Sequence, residues 1–338
     1  MTEKNLNETD LIKRVKDTIR DNCMLKKGDK VLVAVSGGAD SMCLLYVLHS
    51  IRKSIGIDIS VATIDHGTRG EESREDSDHV KRTSKELGIR CAYKKLRLGV
   101  SSPSKISFEE RAREERYKFF VRAARKEGSS AIATAHTLDD QAETVMMRVL
   151  TGSSLKGLGG IPPLRLEKGI KVIRPLIDVG KKDILNYLSR KGIKSRHDRT
   201  NDETKYLRNK VRIEILPFLS KYNPKINKAL SNLSANVRED LELIGWVRNK
   251  ALALPVKNSD GSISAPIKEL VLQPEAVRKE VFRDMLGRAG GNLKKLTYDH
   301  WLFLNRLTLR GTKGKSLDLP GNVLVRRERS SIIFIGKG

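Results

Sequence analysis

The chain has 338 residues, of which 38% are hydrophobic and 32% charged, and no apolar run approaches the roughly 20 residues of a membrane span. Its net charge of +25 is spread out, with 43 basic and 29 acidic residues at positions 1–210 and 23 and 12 at positions 211–338. Such a spread favours a broad positive surface for a polyanion over a short basic tail, although ordinary charged helix faces would also produce it.

Three scattered cysteines without a CxxC pair argue against a disulfide framework and against a Zn or Fe-S site. The polar N-terminus lacks the apolar centre of a signal peptide, so we expect a cytoplasmic protein without a membrane partner.

Apolar, β-branched runs alternate with helix-period stretches through the first 200 residues. The predicted strands are residues 31–35, 57–63, 89–93, 131–135 and 172–175. The predicted helices are residues 41–54, 73–87, 107–127, 138–150 and 180–191. This repeated βα pattern predicts a doubly wound, mostly parallel five-stranded sheet with helices on both faces. Ligands of such sheets bind at the carboxyl ends of the strands.

The later part of the chain has a different pattern. Residues 151–163 are rich in Gly, Ser and Pro, and we expect a mobile loop there. A charged helix is predicted near 204–220, and the break around Asn223-Pro224 favours a domain boundary, with one domain at 1–220 and a smaller, mainly α-helical domain at 221–338. The second domain has predicted helices near 225–252, 273–289 and 296–309, followed by short strands at about 323–328 and 331–336.

The segment SGGADS, Ser36 to Ser41, lies between the first predicted strand and the first predicted helix. Gly37 and Gly38 would let the backbone approach a phosphate, and the serine hydroxyls add donors at the positive end of a helix. A tight βα turn would also explain the glycine pair. The dinucleotide pattern GxGxxG is absent, and Asp40 stands where the Walker A pattern requires lysine. Because a carboxylate repels phosphate unless a divalent cation lies between them, Asp40 predicts a complex of Mg²⁺ with a nucleotide.

Five further segments complete a family pattern. SGGxDS after a first strand resembles the PP-loop of the ATP pyrophosphatases. Beside it stand IDHGTRGEESREDSDHV at 64–80, FEERAREERYKFF at 108–120, ATAHTLDDQAETVMMRVLTGSSLKGLGG at 133–160, IRPL at 173–176 and DRTNDETKYLRNKVR at 198–212. Together these segments resemble the tRNA(Ile)-lysidine synthetase family over about residues 28–220, and LPGNVLVRRERSSIIFI at 319–335 is a weaker match. Thr200 and Asp65 depart from the serine and asparagine that the family pattern favours.

The resemblance implies a Rossmann-like fold and a ligase that uses ATP and Mg²⁺. Its substrates would be L-lysine and an isoleucine tRNA with a CAU anticodon, whose wobble cytidine is adenylated on its C2 oxygen before the ε-amine of lysine displaces AMP. The implied ATP contacts are Ala34, Ser36, Gly37, Gly38, Ala39, Asp40, Ser41, Asp65, His66 and His136, with Asp40 also holding Mg²⁺. The implied catalytic residues are Asp40, Arg113, Asp140, Glu143 and Arg208, of which the last three would bind lysine. Residues 221–338 would bind tRNA, and whether the chain acts as a monomer or a homodimer stays open.

The acidic residues after the fourth predicted strand allow two interpretations. Asp140, Glu143 and Thr144 fall at i, i+3 and i+4 and therefore share one face of the predicted helix. A carboxylate pair on that face suits the ammonium group of a lysine. Alternatively, Asp139 or Asp140 caps the helix and Glu143 completes a capping box. The two roles are compatible if Asp139 caps and Asp140 binds.

The basic candidate residues also allow either a binding or a structural interpretation. Arg113 and Arg116 are three residues apart and could clamp a phosphate, or they could lie on a solvated face of a charged helix. Arg208 and Arg212 pose the same question, and the family order favours a binding role for them. His136, a lone histidine at a strand end, is either a ligand contact or structural.

Three rival functions share some of these features. A tRNA-thiolating PP-loop enzyme would resemble SGGxDS but usually needs a cysteine pair, which the sequence lacks. NAD and GMP synthetases share the loop but explain neither the +25 charge nor the DDQAET and RN-x-x-R segments. A non-catalytic RNA-binding protein on a decayed PP-loop fold would not need the intact loop from Ser36 to Ser41.

Overall fold

The computed structural model describes residues 3–65, 71–96, 108–194 and 207–337. The chain divides into two compact units, Met1–Val237 and Arg238–Gly338. This division falls later than the break expected at Asn223-Pro224. The helix Ile226–Ala251 begins just after the expected break, and its Leu230 packs with Ala142 and Val145 in the core of the first unit, so the start of this helix belongs to that unit.

Strands and helices alternate in the first unit as the sequence predicts. Its strands are β1 Lys30–Ala34, β2 Asp58–Asp65, β3 Cys91–Lys95, β4 Ala131–Ala133, β5 Leu164–Glu167 and β6 Ile170–Ile173. Its helices are α1 Glu3–Asp21, α2 Ala39–Ile55, α3 Glu71–Glu86, α4 Phe108–Glu127, α5 Leu138–Leu150, α6 Leu155–Leu158, α7 Lys181–Lys191, α8 Leu207–Lys210 and α9 Leu216–Ser220. A π-helical turn, Val211–Ile215, joins α8 to α9, and the helix Ile226–Ala251 is α10. Among the residues that the structure describes, no helix is long and apolar enough to cross a membrane.

The described strands of this unit form one sheet in the order β3-β2-β1-β4-β6-β5. All neighbouring pairs are parallel except β5 with β6. The order reverses at β1, because the chain moves from β1 outward to β2 and β3 and then returns to place β4 on the other side of β1. The loops after β1 and β4 therefore lie side by side at the carboxyl edge, where ligands of doubly wound sheets bind. The predicted doubly wound, mostly parallel sheet is confirmed.

The sixth strand was not predicted. Residues 164–167 pair with residues 170–173 in an antiparallel hairpin. Its two-residue turn has positive φ at both Lys168 (49°) and Gly169 (84°), as in a type I′ turn. The Lys-Gly pair is the local signal for this hairpin. The segment 151–163, expected to be a loop, also contains the single-turn helix α6.

The core of the first unit lies on both faces of the sheet. Val31 and Val33 of β1 pack on one face with α1, α2 and α7, and Leu32 packs on the other with Phe120 and Ala124 of α4. All three β1 residues are fully buried. Because successive side chains of a strand point to opposite faces, such a run requires cover on both sides, which is typical of a central parallel strand.

The second unit contains helices and an antiparallel sheet. Its helices are α11 Ile267–Val271, α12 Glu275–Arg288 and α13 Tyr298–Arg310, with a short 3₁₀ turn at Leu293–Lys295. Its strands are β7 Val256–Lys257, β8 Ile263–Pro266, β9 Ser316–Leu319, β10 Val323–Arg327 and β11 Ser331–Gly336, in the order β7-β8-β11-β10-β9. The sequence predicted α12, α13 and the last two strands, but not the short helix α11. It also missed β7 to β9, which have two to four residues each, too few for a clear alternating pattern. β7 pairs with β8 and β9 with β10 in local hairpins, and β8 also pairs with the distant β11.

One buried glutamine joins three segments of the first unit. Gln141 of α5 is fully buried. Its Nε2 donates to Ser234 Oγ on α10 at 2.6 Å, and its Oε1 accepts from the Ile161 N–H at 2.7 Å. Gly160, with φ of 61°, lies directly against this amide, where a Cβ would be 2.8 Å from Oε1. The side chain thus attaches both α10 and the segment 151–163 to α5.

We predict that Gln141→Leu lowers the free energy of unfolding by about 1–3 kcal/mol, because it leaves the Ile161 N–H without its acceptor and removes the bond to Ser234. Urea unfolding of the whole chain measures this change. Gln273→Leu is the matched control, since among the described residues the side-chain amide of Gln273 makes a single long bond, of 3.4 Å to the Glu269 carbonyl. It should change stability by no more than about 0.5 kcal/mol. Equal effects of the two substitutions would contradict the role of Gln141.

Candidate active site

The loop after β1 is closed by its own serines. Ser41 Oγ donates to the Gly38 carbonyl at 2.9 Å and accepts from the Ser36 N–H at 3.1 Å. Gly37 has φ of 92°, and a Cβ there would be 3.4 Å from the Asp76 carbonyl. No described side chain caps the start of α2. Its first N–H groups therefore face the loop and suit an anion.

Asp40 lies in the first turn of α2, largely buried. Its Oδ2 accepts from Lys181 Nζ at 2.6 Å, whereas its buried Oδ1 has no hydrogen-bond partner among the described residues. Burial raises the pKa of Asp40, the Lys181 ammonium opposes that rise, and the carboxylates of Asp140 and Asp139 add to it. Asp40, Asp139 and Asp140 thus place three carboxylates near one another at the start of α2, and a further cation would be stabilised beside Asp40.

The helix after β4 is capped by Thr137. Thr137 Oγ1 accepts from the Asp140 N–H at 3.3 Å, and Asp140 Oδ2 accepts from the Thr137 N–H at 2.9 Å. This reciprocal pair is a capping box. The alternative in which Asp139 or Asp140 caps α5 is therefore wrong. Asp139 instead accepts from the Lys181 N–H at 2.7 Å, at the start of α7, and from Asn227 Nδ2 at 3.0 Å.

Two arginines meet two acids on the face of α5. Arg208 Nε donates to Glu143 Oε2 at 2.8 Å and its Nη2 to Asp140 Oδ1 at 2.6 Å. Arg212 donates through Nε and Nη2 to the two oxygens of Glu143, at 2.6 and 3.0 Å. Glu143 is only 2% exposed, and both of its oxygens are bonded to guanidinium groups. We call Asp140, Glu143, Arg208 and Arg212 the acid–arginine cluster.

The surroundings of Asp140 favour its ionised form. Burial alone would raise the pKa of Asp140, but the Arg208 guanidinium and the donors of Thr137 outweigh it and bring that pKa below its usual range. The hydrogen bond to Glu143 raises the pKa of Arg212. The cluster thus combines acidic and basic side chains that are bonded to each other.

His136 lies between β4 and this cluster. Its Nδ1 is 3.0 Å from Thr134 Oγ1. Burial lowers the pKa of His136 to about 4, and the nearby charges of Arg174, Arg208 and Arg113 act in the same direction, against Asp140. The ring is therefore neutral at physiological pH and can act there as a hydrogen-bonding group without charge.

The remaining predicted residues lie around the same edge. Ala34 ends β1 and Ala39 begins α2, so the two flank the loop. Asp65 is buried at the carboxyl end of β2, the next strand. Arg113 is exposed on α4, with its guanidinium carbon 5.8 Å from the Tyr117 ring. His66 and Thr200 fall outside the described residues.

Two site residues were not predicted from the sequence. Lys181 was not singled out, because only the fold places the start of α7 beside the start of α2; the preceding Gly180 was its one local signal. Thr137 was overlooked as a cap because the two aspartates that follow it were the more obvious candidates. Both residues determine where a carboxylate of the site points.

Asp40 is the candidate residue for binding a metal ion. Among the described residues, no group of three His, Cys, Asp or Glu side chains is arranged to hold a metal ion. A metal ion at Asp40 would need other oxygen ligands, and the phosphates of a nucleotide can supply them to Mg²⁺.

Comparison with known proteins identifies the family. Residues 7–219 match the family model of the PP-loop domain, ATP_bind_3. The tRNA(Ile)-lysidine synthase of Dehalococcoides mccartyi (strain CBDB1) is 34% identical over 317 residues, covering 92% of this chain and 67% of the relative. The synthase of the same name from Clostridium perfringens (strain ATCC 13124) is 35% identical over 324 residues, covering 95% and 68%.

A solved structure supports the fold. The U34-tRNA thiolase NcsA from Methanococcus maripaludis matches with a TM-score of 0.60 at 23% identity, covering 70% of this chain and 80% of that one. At this identity the likeness concerns the fold alone. The PP-loop match and the two relatives confirm the family resemblance seen in the sequence: the chain belongs to the PP-loop family and, within it, to the tRNA(Ile)-lysidine synthases.

Proposed function

We propose that the chain joins L-lysine to C2 of the wobble cytidine in an isoleucine tRNA with a CAU anticodon. The reaction would consume ATP, pass through an adenylated cytidine and release pyrophosphate and AMP. The observation that carries the proposal is the juxtaposition of Asp40 in its phosphate-type loop with the acid–arginine cluster, at the point where the strand order reverses. We place the protein in the cytoplasm, where these substrates occur together.

The loop after β1 would hold the β and γ phosphates of ATP. The positive φ of Gly37 and the serine bonds that close the loop support this role, and so does the start of α2 without a side-chain cap. The adenosine end would lie toward Asp65 and His66, after the neighbouring strand. Arg113 would bind the α phosphate of ATP. Neutral His136 would orient the same phosphate by hydrogen bonding. Catalysis would come from positioning these groups and from compensating developing charge.

Asp40 fits an Mg²⁺ ion. Its Oδ1 is buried and has no partner in the described part of the chain, only its Oδ2 accepts from the Lys181 ammonium there, and the charges of Asp139 and Asp140 act on it. When bound, the ion would neutralise charge on the leaving pyrophosphate. Lys181 holds Asp40 in place from the start of α7.

The acid–arginine cluster suits free lysine. This amino acid carries a carboxylate and two ammonium groups at neutral pH, and the cluster offers groups of both signs. Arg208 would bind the carboxylate and Asp140 an ammonium group, while buried Glu143, bonded to Arg208 and Arg212, would hold the two arginines in place and add its negative charge. The positive charge of residues 221–338 supports a tRNA-binding role for that part of the chain.

The decisive experiment supplies radiolabelled lysine and Mg-ATP with either a CAU-anticodon isoleucine tRNA or the elongator methionine tRNA. We expect label to enter the first tRNA and not the second, and no label to enter without ATP. Label in neither tRNA, although the chain binds both, would contradict the proposal and favour a non-catalytic RNA-binding protein.

We predict that Asp40→Asn reduces tRNA-dependent pyrophosphate release by about 10²-fold or more, because the amide removes the charge that would hold a cation on the phosphates. The affinity for tRNA should be unchanged. Asp58→Asn is the matched control: Asp58 is exposed at the amino end of β2, on the opposite edge of the sheet, and its substitution should leave the rate intact. Parallel loss of tRNA binding and pyrophosphate release in the Asp40 variant would argue against its assigned role.

We predict that Asp140→Asn raises the KM for lysine by about 10–100-fold, the range expected for loss of one charged hydrogen bond. The asparagine carbonyl can still accept from Thr137, so the capping box of α5 is kept. Adenylation, followed as pyrophosphate release before lysine is added, should change much less. Asp183→Asn is the control, since Asp183 lies in the first turn of α7 and pairs with Arg14 at 2.9 Å. A larger loss in adenylation than in lysine KM would rule out a primary role in lysine binding.

A further inference from the structure

Several arginines gather around one tyrosine beside the site. Tyr117 of α4 is buried, with the guanidinium carbon of Arg165 4.6 Å from its ring centroid and that of Arg113 at 5.8 Å. Arg174, directly after β6, interacts with both of these arginines and with Tyr117. We call Arg113, Arg165 and Arg174, with Tyr117, the arginine pocket. The proposed lysine and ATP sites explain Arg113 only.

Arg174 is a buried cation with incomplete compensation. It is 2% exposed; its Nη1 donates to the Pro162 carbonyl at 2.6 Å, and its Nε is buried without a partner among the described residues. Burial lowers the pKa of Arg174 to about 10, with Tyr117 opposing and the charges of Arg165 and Arg113 adding to the decrease. A nearby anion would relieve both the desolvation and the repulsion.

The neighbouring arginines share this feature. The Nε atoms of Arg165 and Arg116 are also buried without a partner among the described residues. Arg165 pairs through Nη2 with Glu167 at 3.0 Å, which compensates part of the charge. Burial lowers the pKa of Arg116, and Arg113 lowers it further. The clustering of guanidinium groups with unused donors points to a bound anion.

The pocket is separate from the phosphate loop. Arg174 follows β6, and the loop follows β1, with β4 between them. Neighbouring strands are about 4.8 Å apart, so two strands separate the anchor points by roughly 10 Å. The pocket still borders the site, because the charges of Arg174 and Arg113 lower the pKa of His136. An anion here would therefore be a group other than the β and γ phosphates of ATP.

We propose that Arg165 and Arg174 of the arginine pocket bind a backbone phosphate of the substrate RNA, close to the nucleotide that reacts and beside the α phosphate assigned to Arg113. The inference rests on the proposed function, since the RNA is the substrate that brings additional phosphates to this edge. The planar guanidinium groups match the paired oxygens of a phosphodiester. The contact positions the strand and does not read its sequence.

A substitution at Glu167 should raise the affinity for RNA, whereas a substitution at Arg165 should lower it. Its carboxylate competes with a phosphate for Arg165, so Glu167→Gln should free the guanidinium and strengthen RNA binding a few-fold. Arg165→Met should weaken binding and lower the slope of log affinity against log salt by roughly 0.7–0.9, the value for one lost phosphate contact. Simple loss of folding cannot mimic the gain expected for Glu167→Gln.

The experiment measures fluorescence anisotropy of labelled CAU-anticodon isoleucine tRNA with the full chain over a range of KCl concentrations, without ATP or lysine. Arg125→Met is the matched control, because Arg125 lies on α4 as an exposed arginine whose Nη2 donates to the Lys168 carbonyl at 3.1 Å. It should leave affinity and slope close to those of the unsubstituted chain. The affinity of each variant for Mg-ATP is measured in parallel and should not change.

The outcomes separate this inference from the proposed function. If the unsubstituted chain does not bind the tRNA, the proposed function fails. If that chain binds but Arg165→Met has the salt slope of Arg125→Met, or Glu167→Gln weakens binding, the pocket is not a phosphate site for RNA. If Arg165→Met weakens Mg-ATP instead of tRNA, the anion belongs to the nucleotide and the inference is overturned.

Discussion

The buried carboxylate of Glu143 is the constraint on which the site depends. A charge at 2% exposure is tolerable only with full pairing, and Arg208 and Arg212 provide it. These arginines lie 65 and 69 residues further along the chain and come from α8 and the π-helical turn. Their bonds fix that segment against α5, so a distant part of the sequence completes the edge formed by the loops after β1 and β4.

The edge has two regions of different charge. Asp40 on α2 and Asp139 and Asp140 on α5 lie with the paired Arg208, whereas the guanidinium groups of the arginine pocket gather beyond β4, next to β6 and α4. Neutral His136 lies within reach of the charges on both sides. Such a division directs cationic and anionic groups of different ligands to different positions, which a reaction between lysine, a nucleotide and an RNA strand requires.

Much of the first unit could be predicted from the sequence, because β1 and β2 are buried on both faces and appear as apolar runs. The loop at Ser36–Ser41 was found from residue types that are rare together. The hairpin at Lys168-Gly169 and the strands β7 to β9 were missed, since strands of two to four residues are too short for a clear alternating pattern. Lys181 was missed because its role follows from which helix starts lie together. Thr137 was missed because the aspartates that follow it are also common capping residues.

Lys181 has a consequence for how the protein is assembled. Its backbone N–H is held by Asp139 and its ammonium by Asp40 Oδ2, so one oxygen of the loop carboxylate is paired with a cation of the chain itself, while Oδ1 has no partner among the described residues. In small metal-dependent domains without such an internal cation, metal binding and folding can be one event. Here the ion pair offsets part of the buried charge of Asp40 and joins the start of α2 to the start of α7 before any ligand binds.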